Sequence, residues 1–162
     1  MRVGHGWDVH RLVEGRPFKI GGVAIEHEKG PLGHSDGDVV LHALADALLG
    51  AAALGDIGAL FPDTDPKWKG ADSADLLEQV VEQVLLAGFT LGNADITVVA
   101  QEPKIGPHRQ VLRETIARLL GVEVGRVSVK AKTTEGLGDI GAGDAIACHA
   151  VVLLEGIPTD HT

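Results

Sequence analysis

Apolar residues recur along the chain with two periods, and each period predicts a type of element. In residues 1–12, neighbouring side chains alternate in character, which predicts a strand. Its faces would carry Val3, His5, Trp7 and Val9 on one side, and Gly4, Gly6, Asp8 and His10 on the other. Residues 18–25 predict a short hairpin around Gly21 and Gly22. Further strands are predicted over residues 94–101, 126–134 and 145–155.

A period of 3.6 residues predicts three helices. The first follows the segment HSDGD, with Ser35 or Asp36 as its N-cap, and ends near Gly55. The third covers residues 107–120 and stops at Gly121. The helices and strands are therefore intermixed along the chain.

The second helix begins at Asp72 or Ser73 and ends at Gly88. Its inward face would consist of Leu76, Leu77, Val80, Val81, Val84 and Leu85. The order of elements predicts an α/β (α+β) fold, in which about three helices cover one face of a mixed β-sheet. We expect a single catalytic domain over residues 1–156 and a C-terminal tail over residues 157–162.

Composition and charge narrow the classes of function that the chain can have. The chain has 162 residues and a formal net charge of −9, so it lacks the basic surface that nucleic-acid binding requires. Cys148 is the only cysteine, which excludes an internal disulfide and fits a cytoplasmic location. The first residues lack the apolar core of a signal peptide, and no apolar stretch approaches the length of a membrane span.

Asp8, His10 and His42 are candidate metal ligands. Asp8 and His10 stand two apart in a strand and point to the same face, and His42 lies on the first helix. Three such ligands would leave one position of a zinc ion open, as in catalytic sites. Asp46, one turn after His42, could accept the second ring N–H of His42. The alternative is that these are ordinary surface or core residues, since an Asp-x-His pair alone is a weak signal.

His34, Ser35 and Asp36 form a second candidate cluster. They precede a helix, where backbone N–H groups could hold a phosphate and His34 could donate a hydrogen bond to developing charge. The alternative is a plain helix N-cap.

Two further clusters follow predicted strands. In KAKTTEG, the side chains of Lys132 to Glu135 offer a cation, two hydroxyls and a carboxylate, which suit a phosphate bound with magnesium. In AQEPKIG, Lys104 could offset phosphate charge. A solvated strand end and an ordinary loop are the respective alternatives.

Together, these segments resemble one known family, 2-C-methyl-D-erythritol 2,4-cyclodiphosphate synthase. The resemblance is carried, in this order and spacing, by GHGWDVHRL, GHSDGDVVLHALADALLGAAALGDIGALFPDTDP, GADSADLLE, AQEPKIGPH, VKAKTTEGLG and IACHAVVLL. It implies a homotrimer with active sites between subunits, and the conversion of 4-diphosphocytidyl-2-C-methyl-D-erythritol 2-phosphate into the cyclic diphosphate and CMP. The reaction belongs to non-mevalonate isoprenoid precursor biosynthesis.

The resemblance also assigns roles to residues. It places a zinc-type ion, or manganese or cobalt, on Asp8, His10 and His42. Glu135 would help to hold a second ion, usually magnesium, against the diphosphate. The proposed transition-state stabilisers are His34 and Thr133. The implied substrate contacts are Asp8, His10, His34, Ser35, Asp56, Ile57, Gly58, Phe61, Pro62, Asp63, Thr64, Asp65, Ala100, Gln101, Glu102, Pro103, Lys104, Ile105, Gly106, Lys132, Thr133, Thr134 and Glu135.

Three positions depart from the family pattern. Asp139 and Ala142 stand where an aromatic residue and an arginine often occur, and His149 stands where an acidic residue is common. In relatives these positions border the cavity on the trimer axis, so the resemblance does not decide whether this chain binds a ligand there.

The predicted chemistry is an internal phosphoryl transfer, in which divalent ions offset the repulsion between two anionic groups. It needs neither a covalent intermediate nor a general base. Two other functions remain open from the residues: a zinc-dependent phosphoesterase, and a non-catalytic trimer that binds nucleotides.

Overall fold

The computed structural model describes residues 1–159 and contains seven strands and five helices in that range. The strands are β1 (Arg2–Glu14), β2 (Phe18–Ile20), β3 (Val23–Ile25), β4 (Lys29–Pro31), β5 (Phe89–Val99), β6 (Val127–Lys132) and β7 (Ala145–Gly156). The helices are α1 (Val39–Ala51), α2 (Ile57–Leu60), α3 (Ser73–Leu86), α4 (Arg109–Leu120) and α5 (Gly138–Gly141). Residues 160–162 of the predicted C-terminal tail lie outside the described part of the chain.

The main sheet has five strands in the order β4-β1-β7-β5-β6. β5 and β6 pair in parallel and the other neighbours pair antiparallel, so the sheet is mixed. β2 and β3 form a separate hairpin, as the pattern around Gly21 and Gly22 predicts. The predicted fold class is confirmed.

The three long helices α1, α3 and α4 cover one face of the sheet. Along β7, the even-numbered residues from Ile146 to Leu154 are buried in the core, whereas His149 and Val151 on the opposite face are exposed. That face also exposes Val3 (69%) and Trp7 (51%). The sheet thus has one face packed by helices and one that is open in the single chain.

Two glycines let α1 lie directly on β1. A Cβ atom at Gly4 would lie 1.9 Å from the carbonyl oxygen of Ala47, and one at Gly6 would lie 1.8 Å from that of Ala43. Only residues without a side chain allow this approach. The contact fixes the helix face that carries His42 against the strand that carries Asp8 and His10.

The N-terminus of α1 differs from the prediction. Asp38, rather than Ser35 or Asp36, caps the helix and accepts the N–H of Leu41 at 3.1 Å. The Asp38 carboxylate is fully buried and also accepts the N–H groups of Gly21 and Gly22, each at 2.8 Å. The hairpin contact that selects this cap is distant in sequence, so local pattern could not identify it.

Other differences concern element ends. α1 ends at Ala51 rather than near Gly55, and Leu85, predicted to face inward, is 47% exposed. The loops 56–66 and 135–144 contain the one-turn helices α2 and α5, and strand β4 was not predicted. The Asp72 cap of α3 and the left-handed Gly121 after α4 are confirmed.

Candidate active site

The side chains of Asp8, His10 and His42 converge at one point between β1 and α1. Oδ2 of Asp8 lies 2.8 Å from Nε2 of His10 and 3.2 Å from Nδ1 of His42. The two imidazole nitrogens are 3.3 Å apart. The grouping of these three side chains, which the family resemblance implies, is confirmed.

These three atoms fit a divalent cation. Oδ2 of Asp8 is buried and accepts no hydrogen bond of good geometry, although both imidazoles lie beside it. Three lone-pair donors facing one another at these distances form a possible metal-binding group. One carboxylate and two imidazoles are ligands that zinc, manganese and cobalt accept.

Two hydroxyl groups orient His42 from its other side. Nε2 of His42 lies 3.1 Å from Oγ of Ser35 and 2.9 Å from Oγ of Ser73. Ser73 in turn donates to the carboxylate of Asp36, which also accepts the Ser73 N–H at 3.0 Å. This chain fixes the ring so that Nδ1 faces Asp8, which is how outer hydrogen bonds commonly position a ligating histidine.

Sequence reasoning missed this role of Ser73 and Asp36. It expected Asp46 to accept from His42, but Asp46 accepts the N–H of Ile57 at 2.8 Å. Ser73 is buried (1% exposed) at the first position of α3, and a serine there resembles any helix start. Only the packing of α3 against α1 reveals its contact with His42.

The protonation states of the cluster are coupled. Burial alone would raise the pKa of Asp8, but the adjacent His10 and His42 outweigh it and the pKa of Asp8 is lowered. Burial would lower the pKa of His42, but the adjacent Asp8 carboxylate, with the more distant Asp38 and Asp36, outweighs burial and the pKa of His42 is raised. A cation binding here would therefore compete with a proton on His42.

Beside the cluster lies a cavity of about 370 Å³. Its lining comprises His10, His34, Ser35, Leu41, His42, Ala45, Ile57, Gly58, Phe61, Pro62, Asp63, Trp68, Ser73, Leu76 and Leu77. Of the expected substrate contacts, seven besides the metal ligands reach this wall or rim: His34, Ser35, Ile57, Gly58, Phe61, Pro62 and Asp63. Two of the three candidate ligands, His10 and His42, thus form part of the cavity wall.

Three expected contacts of the 56–65 loop are not in the cavity wall. Asp56 caps α2 by accepting the N–H of Ala59 at 2.9 Å, and Asp65 accepts the N–H of Lys67 at 3.0 Å. Thr64 is exposed between them. Asp46 joins α1 to this loop through Ile57, and burial raises the pKa of the Asp46 carboxyl.

A side chain occupies part of the predicted phosphate site at the start of α1. The buried carboxylate of Asp38 lies at the helix N-terminus and accepts the N–H of Leu41, so this N–H is not available to a ligand. His34 is exposed at the cavity rim, where its imidazole is free to approach a ligand. The anion contacts expected of His34 and of the helix start stay predictions.

The remaining predicted contacts gather at the ends of the parallel strands β5 and β6. The N–H of Ala100 donates to the carbonyl of Lys132 at 2.9 Å, and the N–H of Gly136 donates to Oε1 of Gln101 at 3.2 Å. These bonds join two loops, formed by residues 100–106 and 132–135. The first comprises Ala100, Gln101, Glu102, Pro103, Lys104, Ile105 and Gly106, and the second comprises Lys132, Thr133, Thr134 and Glu135.

The second loop has a defined conformation. The N–H of Glu135 donates to Oγ1 of Thr133 at 3.2 Å, and Oγ1 of Thr134 donates to the carbonyl of Leu137 at 2.7 Å. Glu135 has a φ of 55°, in the left-handed region that few non-glycine residues adopt. Held in this way, the Glu135 side chain is exposed to solvent.

Within one chain, the loops at β5 and β6 do not reach the Asp8 cluster. Asp8 lies level with Cys148 of β7, Val98 of β5 and Ala131 of β6. Three strand spacings of about 4.8 Å each separate β1 from β6, or about 14 Å. Neither loop contributes to the wall of the cavity beside the cluster.

Cys148 is not an activated nucleophile. Its thiol is buried, and burial raises the pKa of this thiol, with Asp38 and Asp8 adding to the effect. Among the helices of the described residues, none combines the length and apolar character needed to cross a membrane.

Comparison with known proteins places the chain among relatives. A model of the YgbB family matches residues 1–155. The 2-C-methyl-D-erythritol 2,4-cyclodiphosphate synthase of Trichlorobacter lovleyi is 62% identical over 154 residues, covering 95% of this chain and 98% of that protein.

Solved structures agree. A 2C-methyl-D-erythritol-2,4-cyclodiphosphate synthase in a CDP-bound form has a TM-score of 0.88 at 45% identity, covering 95% of this chain and all (100%) of that one. The bifunctional IspDF of Campylobacter jejuni has a TM-score of 0.93 at 47% identity, covering 96% of this chain but only 42% of that longer protein. With its sequence matched almost from end to end, this chain belongs to the YgbB family.

Proposed function

We propose that this protein converts 4-diphosphocytidyl-2-C-methyl-D-erythritol 2-phosphate into 2-C-methyl-D-erythritol 2,4-cyclodiphosphate and CMP, in non-mevalonate isoprenoid precursor biosynthesis. The observation that carries the proposal is the convergence of Asp8, His10 and His42 beside a cavity, in a chain of this family. Its relatives are named for the same cyclisation.

The three converging side chains would hold a divalent ion, which we propose to be zinc, with manganese or cobalt as substitutes. Glu135 would help to hold a second ion, magnesium or manganese, against the diphosphate. When bound, such ions offset the charge of the phosphate groups and absorb charge as the transition state forms.

The protein's own residues would mainly orient the substrate. Both reacting groups belong to one molecule, so positioning them for attack can supply about 7–11 kcal/mol of the barrier. An oxygen of the 2-phosphate attacks the β-phosphorus, and the bond to CMP breaks. The attacking phosphate is already ionised, so no side chain has to remove a proton, and no covalent bond to the protein forms.

We assign transition-state stabilisation to His34 and Thr133. His34 is exposed at the rim of the cavity, where its ring can donate to a phosphate oxygen. Thr133 is held in the ordered loop after β6. The erythritol part would contact the segment from Asp56 to Asp65. The cytidine and its phosphates would contact Ala100 to Gly106 and Lys132 to Thr134.

In one chain, the loops after β5 and β6 follow strands that lie about 10 and 14 Å from β1 by strand count, and neither loop lines the cavity. We therefore propose a homotrimer, in which the β5 and β6 loops of one subunit complete the cavity of its neighbour. The exposed apolar face around Val3, Trp7 and Val151 supports assembly, since monomers rarely expose such patches. The CDP-bound relative supports a cytidine nucleotide as ligand.

We further propose a cytoplasmic location and a catalytic domain that spans residues 1–156. The single cysteine supports the first proposal, because it is buried and has no partner for a disulfide in the chain. The matched range of the family, residues 1–155, supports the second.

The decisive experiment is a product assay with the cytidine substrate, with and without a chelator. Equal amounts of CMP and cyclic diphosphate, formed only with metal present, are expected. Release of inorganic phosphate would indicate a zinc-dependent phosphoesterase instead. Cytidine nucleotide binding without turnover would indicate a non-catalytic binding trimer.

A further inference from the structure

A second pair of histidines lies on the open face of the sheet. His5 on β1 and His149 on β7 are cross-strand neighbours, with Trp7 directly opposite His149 and Val151 directly opposite His5. Nε2 of His5 is 3.1 Å from Nδ1 of His149, and both side chains are exposed. Neither residue belongs to the candidate active site described above.

We propose that His5 and His149 form a second metal site, which takes a borderline divalent ion such as Zn²⁺ or Cu²⁺. This proposal does not depend on the proposed cyclisation reaction. It concerns a different face of the sheet and ligands that the reaction does not use.

The spacing of the two nitrogens fits shared coordination. Two nitrogens bound to one zinc at about 2.0–2.1 Å lie about 3.3 Å apart when the angle between them is tetrahedral. The separation is 3.1 Å for His5 and His149 and 3.3 Å for His10 and His42 of the first site. The ring centroids are 5.4 Å apart in both pairs. The second pair thus has nearly the same nitrogen separation as the first, with its rings inclined at 31° rather than 72°.

The surroundings select the class of metal. Within the described residues, no carboxylate oxygen lies within ion-pair distance of either imidazole. Magnesium and calcium need oxygen ligands, whereas imidazole nitrogens favour zinc, nickel and copper. Two protein ligands leave further positions for water or for side chains of a second copy.

The two sites are independent. Successive side chains of β1 alternate between faces, so His5 and Trp7 point away from the helices while Asp8 and His10 point toward α1. An ion on His5 and His149 would therefore lie across the sheet from Asp8. Without metal, the same nitrogens can share one proton as a hydrogen bond, which a cation would displace.

The test uses the full-length protein with the first site disabled by Asp8→Asn and His42→Gln. Titration with Zn²⁺ by calorimetry, and with Cu²⁺ by electron paramagnetic resonance, should show one remaining class of site with nitrogen ligation. Adding His5→Gln or His149→Gln should weaken that binding at least tenfold. His108→Gln, a histidine whose side chain does not cap α4, is the matched control and should leave it unchanged.

Absence of a remaining site in the Asp8→Asn/His42→Gln protein would overturn the proposal, as would binding that survives both His5→Gln and His149→Gln. If the double variant fails to fold, the bound zinc of wild type and of His149→Gln is compared by mass spectrometry after equal dialysis. A lower zinc content in His149→Gln supports the second site, and an equal content refutes it. Thermal melting confirms that the variants are folded.

Discussion

The proximity of Asp8 and His42 changes the pKa of both side chains. Each lies beside the other with less than 4 Å between ligand atoms, and each moves the pKa of its partner toward the charged form. Ser73 fixes the far side of the His42 ring. Nδ1 of His42 and Oδ2 of Asp8 face one another at 3.2 Å, so the pair is arranged to bind a cation.

We expect His42→Ala to abolish stable zinc binding and turnover while leaving the fold intact. Loss of an outer partner alone typically costs about 10–100-fold in metal affinity, and loss of a ligand should cost more. Metal content by mass spectrometry and the product assay measure the two effects, and circular dichroism checks the fold. Normal cyclisation by this variant would show that the metal assignment is wrong.

Ser73→Ala tests the outer hydrogen bond separately. The variant keeps all three ligands but removes one hydroxyl partner of Nε2 of His42, so we expect zinc affinity to fall by about 10–100-fold. Competition with a chromogenic chelator gives the affinity. Asp72→Ala, at the neighbouring exposed N-cap of α3, is the control and should leave zinc affinity unchanged.

Thr133→Ala should lower kcat more than it raises KM. A group that acts mainly in the transition state affects kcat, and loss of one such donor typically costs about 10²–10³-fold. Steady-state kinetics with the cytidine substrate separates the two constants. A raised KM with unchanged kcat would assign Thr133 to binding alone.

At the scale of elements, the contact between α1 and β1 positions the active site. Gly6→Ala would place a Cβ within 1.8 Å of the Ala43 carbonyl, and backbone atoms cannot move aside without moving the helix. We expect a loss of about 3 kcal/mol or more in the free energy of unfolding, at the upper end of overpacking costs, together with weakened zinc binding. Urea denaturation and metal titration measure these. Gly50→Ala, where an added Cβ meets nothing within 4 Å, is the control.

The cap of α1 gives the protein a pH-dependent contribution to stability. Burial raises the pKa of Asp38 to about 6, although the N–H groups of Gly22, Leu41 and Gly21 oppose the shift, and nearby Asp36 adds to it. The folded protein therefore holds this proton more tightly than the unfolded chain, whose pKa is near 3.8. Stability from this group is present below pH 4 and is lost as the pH rises toward 6.

Comparison with Asp38→Asn isolates this contribution, because asparagine has no proton to lose. The stability difference between wild type and the variant should shrink as the pH rises from about 4 to about 6, by up to about 3 kcal/mol. Urea denaturation across that range measures it. A difference that stays constant with pH would show that Asp38 remains in one protonation state.

At the scale of the whole molecule, one face of the sheet is open in the single chain and exposes Val3, Trp7 and Val151, and the proposed trimer would cover it. Val151→Glu would place a charge in the centre of the open face, where Val151 is 42% exposed. We expect this variant to sediment as monomer and to lose cyclisation activity. Leu86→Glu, at an equally apolar but 75% exposed position on α3, should remain trimeric and active. A trimeric, active Val151→Glu protein would contradict the proposed interface.

Much of this architecture follows from local pattern. Alternation in residues 1–12 placed Asp8 and His10 on one face, and helical periodicity placed His42 on the helix that packs on them. The Asp72 cap and the Gly121 stop were also predictable, because both depend on residues within a few positions. The capping of α1 by Asp38 was not predictable in this way, because Asp38 also binds the hairpin at Gly21 and Gly22.

The sequence by itself determined the fold class, the three metal-ligand candidates and the family, because periodicity, residue chemistry and motif order are properties of the chain. Tertiary structure alone decided which aspartate caps α1 and that Ser73 rather than Asp46 supports His42. It also decided that His5 meets His149. The physical reason is that these contacts join residues 11 to 144 positions apart, and the distance between such residues is set by how sheet, hairpin and helices pack.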